Sequence, residues 1–84
     1  MRLSEPQKRA LDLLEKSPMT IVRYMSYPWE VEGNKAHIRT LKSLERMGLV
    51  RAVVVVDAGT TKKRRIEITD LGRSQVLLSP VGGK

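Results

Sequence analysis

The 84-residue chain contains no cysteine and only one histidine, His37. Without thiols there are no disulfides, thiolate metal sites or cysteine nucleophiles, and the absence fits a reducing, cytoplasmic setting. One histidine is too few for a histidine-based metal cluster, and it leaves a serine triad without a second base. Asp12, Glu15, Glu30 and Glu32 are scattered carboxylates with no nucleophile or ligand set beside them. No enzyme, metal or cofactor is therefore expected. Long apolar runs are also missing. The longest candidate, Val53 to Val56, is far short of the ~18 residues a membrane span requires. Residues 1–15 lack the apolar stretch of a secretory leader, so neither a membrane nor export is expected. A chain this short buries only about 60–65% of its unfolded surface, which points to one compact domain over residues 1–84, with residues 80–84 as a mobile tail.

Acidic residues are the other scarcity: 9 Asp and Glu stand against 16 Lys and Arg, for a net charge of +7. The excess is local. Up to residue 34, Arg2, Lys8, Arg9, Lys16 and Arg23 are balanced by Glu5, Asp12, Glu15, Glu30 and Glu32, and past residue 65 Arg73 and Lys84 are balanced by Glu67 and Asp70. Between them, Lys35, Arg39, Lys42, Arg46, Arg51, Lys62, Lys63, Arg64 and Arg65 face only Glu45 and Asp57. Charge concentrated in this way suits a polyanion-binding face; the plainer alternative is a solvated surface that aids solubility.

Ser4, Pro6 and Gln7 have the spacing of a capped helix start, and Ala10, Leu11 and Leu14 continue it to Ser17-Pro18. Met19-Thr20 reads as an extended bridge and Ile21 to Tyr27 as a second, short helix stopped by Pro28, with Trp29 in the following turn. A helix from Asn34 to Met47 carries the strongest amphipathic pattern. Asn34, His37, Leu41 and Leu44 fall on one side, with Ile38 and Glu45 at its edge, and Lys35, Ala36, Arg39, Lys42, Ser43 and Arg46 on the other. Gly48 suits a left-handed helix end. The period then changes to two: Leu49 to Asp57 and Arg64 to Thr69 read as strands, with Ala58 to Lys63 between them, so that Lys62, Lys63, Arg64 and Arg65 lie at the tip and on the returning strand. Thr69 or Asp70 caps a last helix from Asp70 to Ser79, which Gly72 weakens.

Leu41-Lys42-Ser43-Leu44-Glu45-Arg46-Met47-Gly48-Leu49-Val50 resembles the end of the recognition helix and the first wing strand of winged helix-turn-helix regulators. Ile68-Thr69-Asp70-Leu71-Gly72 is similar to the Leu-Thr-x-x-Gly that closes the wing in MarR- and PadR-type members. The resemblance implies an α+β winged helix-turn-helix: a three-helix core, a β-hairpin wing and a C-terminal helix. It further implies a cytoplasmic, nucleoid-associated regulator of transcription that binds double-stranded DNA sequence-specifically, with the helix Asn34 to Met47 in the major groove. The base-contact candidates are then Lys35, Ala36, Arg39, Thr40 and Ser43. Lys42, Arg46, Lys62, Lys63, Arg64 and Arg65 would meet the backbone or a minor groove.

The chain departs from that family in several places. His37 stands where a small aliphatic residue is usual, and reads as a half-buried, satisfied histidine more readily than as a pH sensor. Trp29 reads as a plug over the core, with base stacking or phosphate contact as its other role. The wing Asp-Arg pair of MarR-type proteins is absent. So are their long terminal helices, and no small-molecule ligand is expected. A homodimer is expected, through the first helix, the last helix or the base of the valine-rich strand. A winged-helix module for RNA or protein binding within a transcription, replication or ribosome-associated assembly is the alternative function.

Overall fold

The computed structural model describes residues 2–78, so Ser79 and the expected tail, residues 80–84, lie outside the described residues. The chain runs α1 (Glu5–Lys16), β1 (Met19–Tyr24), β2 (Glu30–Val31), a 3-10 turn (Glu32–Asn34), α2 (Ile38–Arg46), β3 (Val50–Ala58), β4 (Thr61–Ile68) and α3 (Asp70–Leu78). It is an α+β fold: three α-helices with a four-stranded antiparallel sheet in the order β2-β1-β4-β3.

α1 begins as its sequence requires. The Ser4 hydroxyl accepts from the Gln7 backbone N–H at 3.3 Å and Gln7 Oε1 accepts from the Ser4 N–H at 2.8 Å, a reciprocal cap. Ala10, Leu11 and Leu14 form its buried face.

Three expectations are corrected. The short helix expected from Ile21 to Tyr27 is absent: Ile21 to Tyr24 belongs to strand β1 and residues 25–27 form the turn after it, so the described residues hold three α-helices rather than four. Thr20, Ile21 and Val22 are β-branched, which favours a pleated strand, and six consecutive residues from Met19 to Tyr24 pair with β4. The basic helix starts at Ile38, four residues later than expected, because Gly33 (φ 78°) and Asn34 (φ 52°) adopt left-handed conformations that an α-helix cannot contain. Lys35 and Ala36 therefore precede it, and His37 is its exposed N-cap rather than a half-buried member of the aliphatic face. Finally, the hairpin link is only Gly59-Thr60, because both strands extend to the pair Ala58–Thr61.

Register sorts the strands' side chains onto two faces. Ile66 and Ile68 on β4, Ala52 and Val50 opposite them on β3, and Met19 and Ile21 on β1 face the helices. With Leu11, Leu41, Leu44 and Leu49 they make the core. The other face, with Thr20, Val22, Arg51, Val53, Lys63, Arg65 and Glu67, carries no helix among the described residues. A bulge at Val55 interrupts β3 between Val54 and Val56.

α3 is held against the end of α2 by Thr69 and Gly72. The Thr69 hydroxyl donates to the Gly48 carbonyl at 2.7 Å and accepts from the Gly72 N–H at 3.1 Å, while the Thr69 N–H donates to the Leu49 carbonyl at 3.0 Å. A Cβ at Gly72 would overlap the Leu49 carbonyl oxygen, so only glycine fits there. Gly48 takes the expected left-handed conformation at φ 80°.

Candidate nucleic-acid interface

α2 is anchored by Leu41 and Leu44, both buried in the core, and this fixes what its remaining positions present. Arg39, Lys42 and Arg46 are exposed. Thr40 is half-buried. Ser43 is turned toward α1, its hydroxyl accepting from Gln7 Nε2 at 2.9 Å, and Ala36 packs against the core. Lys35 is exposed in the segment leading into the helix. Of the seven base-contact and backbone candidates on or leading into α2, Lys35, Arg39, Thr40, Lys42 and Arg46 are thus left uncommitted, with Ala36 and Ser43 occupied by packing and by the bond to Gln7.

The second basic element is not a free tip. β4 is flanked by β1 and β3, so Lys62, Lys63, Arg64 and Arg65 lie on an inner strand paired on both sides. Their alternation divides them. Lys63 and Arg65 point to the helix-free face and each meets an acid: Lys63 Nζ is 3.8 Å from Glu32, and Arg65 Nε donates to Glu67 Oε2 at 2.7 Å. Arg51 joins from β3, its Nη2 3.1 Å from Glu67 Oε1. Hydrogen bonds from Arg65 first and Arg51 second, with the charges of both arginines, hold the Glu67 carboxyl below the ordinary glutamate range.

Lys62 and Arg64 point to the helix side, where Asp57 stands across from Lys62 on β3 without forming an ion pair. Among the described residues, neither they nor Lys35, Arg39, Lys42 and Arg46 make an ion pair. Arg64 instead lies over the Trp29 ring, its guanidinium carbon 4.9 Å from the ring centroid. Trp29 is half-buried against the core, as a plug would be. Glu32 and Trp29, both in the segment between β1 and α2, thus tie the approach to α2 onto β4.

One further cation reaches this side. Arg23 on β1 is directly opposite Lys62 and shares its face. Reading Ile21 to Tyr27 as a helix hid it; the alternation of buried Met19 and Ile21 with Arg23 next in step was the available signal. No group of three or more metal-ligating side chains occurs among the described residues, and no helix there is long and apolar enough to cross a membrane. Comparison with family models, with curated proteins and with solved structures finds no significant match for this chain.

Proposed function

We propose that the chain is a winged-helix-type module that binds double-stranded DNA sequence-specifically and regulates transcription. α2 serves as the recognition helix and the β3–β4 hairpin as the wing. One observation carries the reading: apart from Arg2 and Arg9 near the N-terminus, the cations without an ion pair among the described residues lie on α2, its approach and the helix side of the sheet, while Arg51, Lys63 and Arg65 on the opposite face pair with Glu32 and Glu67. A surface kept basic merely for solubility has no reason to segregate its charge in this way. α2 also packs on α1 through Gln7 and Ser43, leads directly into the hairpin, and is locked to α3 by Thr69 and Gly72. That order suits a winged helix in which β1 and the β2–3-10 link stand where a second helix would be.

In this reading Arg39, in the first turn of α2, addresses guanine O6 and N7, with Thr40 and Lys35 beside it. Lys42, Arg46, Lys62 and Arg64 meet phosphates and supply affinity without sequence. With about five phosphates neutralised per chain, log K falls against log salt with a slope near −4 to −5. The test compares duplex DNA, duplex RNA and an unrelated acidic polymer at one salt concentration. Preference for one DNA sequence, with that slope, supports the proposal. Equal binding to RNA or a flat salt dependence overturns it.

A second copy completes a palindromic site in this scheme. β3 is an edge strand, and Val54, Val55 and Val56 are 60%, 52% and 36% exposed. Antiparallel pairing of β3 with its counterpart about a two-fold axis normal to the sheet keeps both sets of helices on one side. Sedimentation at micromolar concentration should then show a dimer that Val55→Lys turns into a monomer. A monomer before substitution overturns this part of the reading.

A further inference from the structure

We infer that Arg23, Lys62 and Arg64 form a single cleft for a phosphodiester of the duplex backbone, with Arg23 of β1 as its deepest member. The inference rests on the DNA-binding reading and adds a contact from a strand outside both the recognition helix and the hairpin. Arg23 and Lys62 are directly opposed on one face of adjacent strands, and Arg64 is the next residue along β4 on that face. Like charges in directly opposed positions destabilise a sheet unless an anion sits between them. None is supplied from within the described residues: Asp57, across from Lys62 on β3, makes no ion pair.

Arg23 is the more telling of the pair. It is half-buried, and its Nε is fully buried with no hydrogen-bond partner. Leaving a buried donor unpaired is costly, and the guanidinium that carries it is already partly stripped of water. A phosphate oxygen accepts from a guanidinium more strongly than water does, and partial burial lowers the desolvation still to be met on binding. Arg64 is prepared in a different way, its guanidinium carbon lying over the Trp29 ring, 4.9 Å from the centroid. The two arginines and Lys62 thus present donors from one side of the sheet, the side that also carries α2.

Trp29 is the chain's only tryptophan, so its emission reports on this cleft without a label. The experiment titrates a 20-base-pair duplex into the full-length protein at several salt concentrations, following Trp29 emission and, in parallel, mobility of the complex. Arg23→Gln keeps most of the side-chain stem, and Lys62→Gln changes an exposed residue, so folding of both is checked by thermal melting. Each should shorten the salt slope by about 0.9, the release from one phosphate, and diminish the Trp29 change on binding. Lys63→Gln, on the opposite face, should alter neither. If the unmodified protein binds the duplex and Arg23→Gln and Lys62→Gln leave slope and emission change intact, the cleft is refuted while the DNA-binding reading stands. If the unmodified protein does not bind the duplex, both fail together. Inorganic phosphate alone at matched ionic strength should leave Trp29 emission unchanged; an equal response to free phosphate would overturn the duplex as the ligand.

Discussion

β4 carries four consecutive cations, and its two faces treat them in opposite ways. Lys63 and Arg65 sit on the helix-free side within ion-pair distance of Glu32 and Glu67, while Lys62 and Arg64 sit on the helix side without an ion pair, although Asp57 stands across from Lys62 on β3. A count of charge along the chain rates the four as equals. The pleat does not: side chains one residue apart lie on opposite surfaces, and of these four cations only the two on the helix-free surface are ion-paired among the described residues. In the proposed reading, net charge suits a polyanion, and the pattern of ion pairs suggests the side from which it would approach.

The most severe way to break this comparison is to unseat the helix side itself. Gly72→Ala places a methyl group on the Leu49 carbonyl, which is backbone and cannot swing aside. α3 must move, and with it the Thr69 bonds to Gly48 and Leu49 that join the end of α2 to the hairpin. Overpacking of this kind costs about 3 kcal/mol or more, a large share of what a domain this small possesses. Chemical denaturation should show the loss, and DNA binding should fall with the folded fraction. A variant as stable as the original would mean that the contact relaxes freely.

Next in size is Arg39→Ala. Exposed in the first turn of α2 and free of any ion pair among the described residues, Arg39 holds no part of the fold together. Its removal should leave the melting temperature alone, cost about 1–3 kcal/mol on the preferred DNA sequence and little on random DNA. Equal losses on both DNAs would assign it to phosphate.

Arg64→Ala and Arg65→Ala sharpen the comparison within one strand. The first should weaken binding to all DNA sequences alike and shorten the salt slope by about 0.9, whereas the second should leave the slope unchanged and lower the melting temperature only slightly, since its bond to Glu67 is exposed. The reverse result would place the nucleic acid on the helix-free face.

What the sequence disclosed, and what it hid, follows from the range of the interactions responsible. The α1 cap, Gly48, the presence of the hairpin and the start of α3 each depend on residues within a few positions and were legible, whereas the hairpin's link proved shorter than expected. β1 was not. Its apolar residues fit a short helix as well as a strand, and what decides for the strand is pairing with β4 some forty residues further on. The late start of α2 depended on left-handed backbone at Gly33 and Asn34, which an amphipathic count does not register. Among the site residues, Arg39, Lys42 and Arg46 stand exposed as the helical period implied, and Ser43 does not, because Gln7 of α1 claims its hydroxyl. The pairing of Lys63 with Glu32 and of Arg51 and Arg65 with Glu67 required the register of the sheet. So did the place of Arg23 beside Lys62.

The smallest effect tests the neutralised face directly. Glu67 accepts from Arg65 and Arg51, and those bonds keep its carboxyl ionised to lower pH than an ordinary glutamate. A carboxyl whose folded pKa is depressed stabilises the protein fully above its unfolded pKa, about 4.3, and that contribution disappears as pH falls through the folded value. Glu67→Gln lacks this contribution at every pH. The melting-temperature gap between the two proteins should therefore be largest near neutrality, begin to narrow below about pH 4, and close under more acid conditions. The gap should be small and should shrink with added salt, because the pair is open to solvent. At neutral pH the same substitution leaves Arg51 and Arg65 without their acid and makes the helix-free face resemble the other, so binding to random DNA should rise while preference for one sequence falls. A gap that stays constant from pH 7 to pH 3, with no change in random-DNA binding, would mean that Glu67 does not neutralise that face, and the division between the two sides of β4 would lose its basis.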